Sequence, residues 1–148
     1  MASIDDVRRL VALDNGLANL STLRANGNVH GTVVNAGVIE HPVTGEPVVA
    51  FVGRAGTQKV RHLRARPAAT LCWRAGWAWA TAEGTAELVG PDDPLDGVDP
   101  DAVPALLRTI YTAAGGGEHE DWAEYDRVMA AERRLAVLLT PERIYVNP

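Results

Sequence analysis

A single lysine, Lys59, marks the part of the chain whose residue types are best suited to bind an anion. The 148-residue sequence contains 14 cationic side chains, and 13 of them are arginines. No Asp or Glu occurs between Glu46 and Glu83, so residues 47–82 carry a formal charge of +6 in a chain whose net charge is −5. An acidic protein that keeps one compact basic segment is expected to hold an anionic group there.

The residues next to Lys59 favour a phosphate-sized anion. Gly53 and Gly56 allow the backbone to approach a ligand closely. Thr57 is predicted to be the N-cap of a short helix over Gln58–Arg66, whose first N–H groups point at whatever lies before it. Lys59 falls in the first turn, where a cation opposes the helix dipole, and a bound anion would resolve that conflict. On spacing alone, a solvated basic face with surface salt bridges remains the alternative.

Other kinds of chemistry find little support. The single cysteine, Cys72, lies in an apolar run and is interpreted as a buried, inert thiol. The four histidines do not have the spacing of metal ligands, so no metal site is predicted. The chain has only two serines, Ser3 and Ser21, and neither a Gly-x-Ser-x-Gly elbow nor a dinucleotide-binding glycine fingerprint. Nucleic-acid binding is disfavoured because the net charge would repel a long polyanion. Any hard chemistry is therefore assigned to a bound cofactor.

Aromatic and acidic residues supply two further candidates. Trp77 and Trp79 are two residues apart in a predicted strand and are expected to share one face, where they would form a wall beside a planar ring or pack in a core or dimer interface. The Pro- and Asp-rich segment from Pro91 to Pro104 lacks the ligand spacing of an EF-hand loop and is interpreted as a solvated loop.

Hydrophobic periodicity and turn signals predict a mainly β protein with helices, of the α+β class. Asn26-Gly27 predicts a two-residue hairpin turn, and the apolar run Val48–Val52 predicts a strand buried on both faces. Short strands joined by hairpins favour an antiparallel sheet closed into a barrel, within one domain over residues 1–148. No targeting segment or membrane span is found, which predicts a cytoplasmic protein. The predicted strands are Leu17–Leu23, Val29–Ile39, Val48–Val52, Ala69–Arg74, Trp77–Val89, Leu135–Leu139 and Arg143–Val146, and the later helices are Ala102–Ala114 and Trp122–Arg133.

Four segments of the chain resemble one known family. They are Lys59–Pro67 (KVRHLRARP), Gly76–Leu88 (GWAWATAEGTAEL), Gly117–Tyr125 (GEHEDWAEY) and Arg133–Leu135 (RRL) running into Pro141–Tyr145 (PERIY). In this order they are similar to the flavin and deazaflavin oxidoreductases related to pyridoxamine 5′-phosphate oxidase, and most similar to the actinobacterial group that uses coenzyme F-420. The resemblance implies a six-stranded split β-barrel that forms a homodimer with two cofactor sites at its interface.

The resemblance also implies roles for particular residues. Lys59 matches the lysine that grips the cofactor phosphate, and Thr57 stands where relatives often carry Arg or Ser, so Arg54 or Arg61 would compensate. The strand Ala50-Phe51-Val52 matches the one whose backbone lies along the ring system. The last match is Trp77 and Trp79, on the strand that frames the ring in the partner's site.

Charge helps to choose the cofactor. FMN ends in one phosphate, whereas F-420 ends in a phosphate, a lactyl carboxylate and a chain of glutamates. The cations of residues 54–66 exceed the needs of one phosphate and favour F-420 over FMN.

The expected function is that of a homodimeric F-420-dependent oxidoreductase that passes a hydride to a small conjugated acceptor, without nucleic acid or a membrane as partner. No catalytic residue is assigned; Tyr125 and His30 are named as candidates for a general acid, with solvent as the alternative proton source. The other hypotheses are an FMN-dependent oxidase or reductase and a non-catalytic protein that binds a flavin-type cofactor or haem.

Overall fold

Residues 1–147 are described by a computed structural model, and they fold as one closed sheet surrounded by helices. The elements in chain order are α1 (Ile4–Leu13), β1 (Leu17–Leu23), β2 (Val29–Glu40), β3 (Pro47–Arg54), α2 (Gln58–Ala65), β4 (Ala68–Ala75), β5 (Ala78–Val89), α3 (Val103–Tyr111), α4 (Trp122–Ala131) and β6 (Arg134–Val146). A 3₁₀ turn (Pro100–Ala102) precedes α3, and a π-type turn (Thr112–Gly116) ends it.

The six strands form a barrel in the order β1-β2-β3-β6-β5-β4, which closes where β4 pairs with β1. Every pairing is antiparallel. Closure leaves the sheet without a free edge, which is the usual way for a small antiparallel sheet to satisfy all its backbone groups. The predicted α+β class and the six-stranded split barrel are confirmed.

Two apolar cores lie on opposite faces of β3. Phe51 points into the barrel, where it joins Trp73 and the side chains that α1 contributes, whereas Val48 and Ala50 face the helices α3 and α4. Each large side chain buried in this way stabilises the fold by about 1.5–3 kcal/mol. The run Val48–Val52 is therefore apolar on both faces for the reason that its sequence predicts.

Two turn predictions were wrong in detail. The β1–β2 hairpin is present, but its loop has three residues, Ala25 to Gly27, and not two. The Gly27 N–H donates to the Arg24 carbonyl at 2.9 Å, and within this loop only Gly27 has a positive φ, of +86°. The two predicted C-terminal strands are one strand, β6. A register shift opposite Glu83 and Gly84 leaves Glu142 unpaired, so this bulge accommodates Pro141 without ending the strand.

The π-type turn after α3 approaches the barrel so closely that it needs a glycine beneath it. A Cβ on Gly37 of β2 would lie 2.3 Å from the Ala113 carbonyl oxygen, which no side chain tolerates. The chain can then reverse through the π-type turn and enter α4, whose N-cap Asp121 accepts a hydrogen bond from the Glu124 N–H at 3.0 Å. This close contact places the α3–α4 connection against β2.

Candidate functional site

The largest cleft lies where the barrel meets the helices and has a volume of about 790 Å³. One wall comes from β2 and the end of β3, the floor from the turn before α2, and the other wall from α3, α4 and the turn between them. Its lining residues are Asn15, Val33, Val34, Asn35, Val52, Gly53, Arg54, Thr57, Lys59, Ile110, Tyr111, Ala114, Gly115, Gly116, His119, Glu124, Tyr125, Val128, Met129 and Arg134.

Lys59 lies at the α2 end of this cleft with its side chain half-buried. Among residues 1–147, no carboxylate lies within ion-pair distance of it. Another cation of the cleft wall, Arg54, lies 3.8 Å from Glu132, and Glu132 is held more closely by Arg134 at 2.9 Å. The hydrogen bond from Arg134 holds the pKa of Glu132 below its usual range, so this carboxylate is fully charged at neutral pH and is shared between two arginines. Lys59 thus supplies a positive charge that the described protein does not neutralise.

Thr57 is the N-cap residue of α2, but it does not cap the helix as its type predicts. Its hydroxyl donates instead to the Arg54 carbonyl at 2.8 Å, and it accepts no hydrogen bond from the first turn. The N–H groups of this turn therefore lack a side-chain acceptor. Together with the unneutralised charge of Lys59, they form an arrangement that fits a phosphate or carboxylate.

Most of the other cations of the basic segment are already engaged. Arg64 makes a two-point hydrogen bond with Asp93 at 2.8 and 2.6 Å, and Arg66 donates to the Leu23 carbonyl at 3.0 Å. Arg61 is exposed and donates to the Gly56 carbonyl at 2.7 Å. Arg64 is therefore neutralised within the fold, whereas Arg61 and Arg66 bond only to backbone carbonyls and keep their positive charge. That these cations extend the cofactor site stays a prediction.

Only part of the predicted ring-binding strand reaches the cleft. Val52 lines it, but the side chains of Ala50 and Phe51 are buried in the two cores and contribute nothing to its surface. Strand alternation explains the position of Phe51, which points to the face opposite Val52. Ala50 shares the face of Val52 but is buried in the core beneath the helices.

The two tryptophans lie elsewhere. Trp77 is in the turn before β5 and is 93% exposed, so it does not share a strand face with Trp79 as predicted. Trp79 lines a second cleft of about 630 Å³ on the outer face of β1, β4 and β5, against Tyr145 at a ring separation of 6.1 Å. The exposed Val33 borders both clefts, so the two openings are neighbours on one surface.

A cluster of four rings was not assigned from the sequence. Tyr111, His119, Trp122 and Tyr125 are mutually in contact, with ring centroids 5.2–5.8 Å apart. Three of the rings follow Gly115-Gly116-Gly117 within eight residues, and a Cβ on Gly116 would lie 2.5 Å from the ring of Tyr111. The only signal in the sequence was this dense run of aromatic residues after a glycine break.

His119 lines the cleft, and a hydrogen bond defines the tautomer of its ring. Its Nδ1 accepts a hydrogen bond from the Asp121 N–H at 3.0 Å, so the neutral ring carries its hydrogen on Nε2. The two general-acid candidates named from the sequence do not present a free proton donor to the cleft. Burial raises the pKa of Tyr125 to about 12, and its hydroxyl donates to the Leu107 carbonyl at 3.1 Å. His30 does not line the cleft and packs edge-on against His62 at 5.0 Å.

Two kinds of structure are absent from the described residues. Residues 1–147 hold no group of three His, Cys, Asp or Glu side chains arranged to ligate a metal ion. Over the same residues, no helix has both the length and the apolar character that a bilayer crossing demands.

The closed six-stranded antiparallel barrel with helices packed against it places this protein in the class of split-barrel proteins. Its cationic cleft lies where the barrel meets the helices. The family model described as "Pyridoxamine 5'-phosphate oxidase" matches residues 5–147, and the chain belongs to this family.

Solved structures of the same fold have little sequence in common with the chain. A conserved hypothetical protein of Mycobacterium tuberculosis superimposes with a TM-score of 0.71 at 18% identity, over 99% of this chain and 84% of that one. A pyridoxamine 5′-phosphate oxidase-related, FMN-binding protein of Nostoc punctiforme gives 0.65 at 15% identity, over 96% and 80%. A structure named as an F420 reductase gives 0.60 at 16% identity, over 91% and 93%. At these identities the comparisons establish the fold.

Proposed function

We propose that this protein is an oxidoreductase that binds coenzyme F-420 in the cleft and transfers a hydride to a small conjugated acceptor. The observation that carries the proposal is the α2 end of the cleft, where an unneutralised lysine and uncapped backbone N–H groups converge. Charge-assisted hydrogen bonds contribute about 1.5–3 kcal/mol each, so three or four of them anchor a phosphate firmly.

The site residues have separate tasks in this proposal. Lys59, Thr57 and Arg54 hold the anionic end, and Arg61 positions the turn through the Gly56 carbonyl. Val52 and the backbone of Ala50 and Phe51 lie along the ring system. Trp77 and Trp79 complete the site of a second subunit.

The deazaflavin ring supplies the hydride when it is bound. The protein then contributes an apolar wall that excludes water from the acceptor and a hydrogen-bond donor at Nε2 of His119. Tyr111 and Trp122 hold that imidazole in place by edge-on and tilted ring contacts at 5.5 and 5.6 Å.

A homodimer is part of the proposal. Large apolar side chains are exposed on the outer face of the barrel, which is typical of a protein–protein interface. They include Leu17 of β1, Val33 of β2 and Trp77 in the turn before β5. Because Val33 lies between the main cleft and the Trp79 cleft, a second copy on this face would complete both.

FMN is the second candidate cofactor. The cations that line the cleft are Arg54, Lys59 and Arg134. Because Arg134 is paired with Glu132, Lys59 and Arg54 are the main ones left for a ligand, and these suffice for one phosphate. A non-catalytic role as a carrier of such a cofactor would use the same residues.

Titration separates these functions. Purified protein should quench the fluorescence of F-420 with micromolar or better affinity and bind FMN at least about tenfold more weakly. Co-purification of FMN together with no binding of F-420 would identify the FMN protein instead. With reduced F-420 bound, the absence of turnover with quinones, enones and tetrapyrroles would indicate a carrier.

A further inference from the structure

A further cavity, distinct from the main cleft and from the Trp79 cleft, lies beneath the Pro- and Asp-rich segment and has a volume of about 410 Å³. We call it the proline cavity. Its walls come from the segment 89–100, the start of α3 and one face of α4, and consist of Val89, Gly90, Pro91, Asp92, Asp93, Pro94, Leu95, Val98, Pro100, Val103, Pro104, Leu107, Asp126, Met129, Ala130 and Arg134. Its volume lies within the range of about 300–1,000 Å³ typical of small-molecule sites.

The segment over this cavity is a largely exposed loop, as its composition predicts, but backbone hydrogen bonds hold it in place. Gly90 and Asp93 exchange backbone hydrogen bonds at 2.9 and 3.1 Å, and the Val98 N–H donates to the Leu95 carbonyl at 3.0 Å. Four prolines fix φ along the wall. The cavity is thus preformed, and a ligand would not have to order a flexible loop when it binds.

Every acidic group that lines the proline cavity is neutralised by an arginine. Asp93 pairs with Arg64 at 2.6 Å, Asp126 pairs with Arg108 at 2.5 Å, and Asp92 pairs with Arg133. The one cation among the lining residues, Arg134, is itself paired with Glu132 at 2.9 Å. A charged ligand would lose its hydration here without gaining an unpaired partner, which is strongly unfavourable.

We propose that the proline cavity is a binding site for an uncharged, mainly apolar small molecule of about two fused rings. Its remaining walls are prolines and aliphatic side chains, which favour apolar surface and leave only backbone groups for orientation. Met129 and Arg134 line both this cavity and the main cleft, so its occupant would lie beside whatever the main cleft holds. The proposal does not depend on the identity of the cofactor.

Binding of the uncharged fluorophore Prodan tests the proposal in the full-length protein. Wild-type protein should bind Prodan saturably, with a Kd on the order of 10 µM and a blue-shifted emission. Ala130→Phe fills the cavity from α4 and should weaken binding at least about tenfold. Ala123→Phe, on the same helix but outside the cavity, is the matched control and should leave the Kd unchanged. The anionic probe anilinonaphthalene sulfonate should bind at least about tenfold more weakly than Prodan.

The chain offers a second readout because it has two methionines, Met1 and Met129. In protein labelled with ¹³C at the methionine methyls, Prodan should shift the Met129 signal and leave that of the exposed Met1 unchanged. Because Met129 also lines the main cleft, this shift should be lost in Val98→Phe, whose side chain lines the proline cavity alone. Val98→Phe fills the cavity from the opposite wall and gives a second test if Ala130→Phe fails to fold. No saturable binding to the wild type, or equal binding to both filling variants and the control, would overturn the proposal. F-420 binding is measured on the same samples, so a protein that rejects F-420 but binds Prodan separates the two proposals.

Discussion

The two ends of helix α2 carry similar charges but use them differently. At its start, Lys59 faces the main cleft, and no carboxylate of the described residues neutralises it; near its end, Arg64 makes a two-point hydrogen bond with Asp93. The helix is only eight residues long. The comparison shows that the charge of the basic segment divides into one part available to a ligand and another that holds the proline-rich segment in place.

The distinction is electrostatic. A cation paired at hydrogen-bond distance presents mainly a dipole to a distant anion, and salt screens what remains beyond about 8 Å at physiological ionic strength. The unneutralised ammonium of Lys59 keeps its full attraction for a group in the cleft. Substitutions at the two ends of α2 should therefore affect different properties of the protein.

The largest expected effect is that of Lys59→Ala on cofactor affinity. Loss of the ammonium should weaken F-420 binding at least about tenfold, equivalent to about 1.4 kcal/mol, while the melting temperature changes little, because Lys59 has no protein partner to lose. Fluorescence titration gives the affinity and thermal unfolding gives the control. Unchanged affinity in a folded variant would remove Lys59 from the site.

The converse variant is Arg64→Ala. It should lower the free energy of unfolding by about 1 kcal/mol, since a partly exposed two-point ion pair contributes modestly and its loss leaves Asp93 unpaired. Urea unfolding measures this change, and F-420 affinity should stay within about twofold of the wild type. A large loss of affinity with normal stability would show that Arg64 belongs to the cofactor site after all.

The paired side of the molecule should also respond to acid. Hydrogen bonds from Arg108 and Arg133 hold the pKa values of Asp126 and Asp92 below their usual range. Since these pKa values are depressed in the folded state, their stabilisation is present above the ordinary Asp pKa and is lost as the pH falls through the folded values. Urea unfolding followed from pH 6 downwards, to about pH 3, should show less pH dependence for Asp126→Asn than for the wild type. Identical pH profiles would mean that this pair contributes no measurable linkage.

The smallest effect is expected from Arg61→Ala. The guanidinium of Arg61 supports the turn before α2 through the Gly56 carbonyl and does not line the cleft, so F-420 binding should weaken by less than about threefold. A loss as large as that of Lys59→Ala in the same titration would place Arg61 in direct contact with the cofactor.

The sequence predicted local features better than distant pairings. The start of α2, the run Val48–Val52 and the position of Lys59 follow from periodicity and turn residues, which act over a few positions. The engagement of Arg64 depends on Asp93, 29 residues away, and nothing in the local pattern identifies that partner. Trp77 was placed in a strand because its neighbours alternate, whereas the Gly76 turn extends one residue further.

The aromatic cluster illustrates the same limit. Tyr111 comes from α3, whereas the other three rings follow the glycine break, and they meet only because that connection folds back over the barrel. Sequence spacing shows that rings are present but does not show which nitrogen of His119 carries the proton, because this depends on the Asp121 N–H.

The single lysine makes a direct test of the central claim possible. Protein labelled with ¹⁵N only at lysine side chains will give one ammonium resonance, from Lys59. We expect this resonance to sharpen and shift saturably on addition of F-420, in step with the quenching of the cofactor's fluorescence, because a phosphate contact slows exchange of the ammonium protons with water. Fluorescence quenching that saturates while the Lys59 ammonium signal stays unchanged would contradict the account, since the cofactor would then be bound without the lysine.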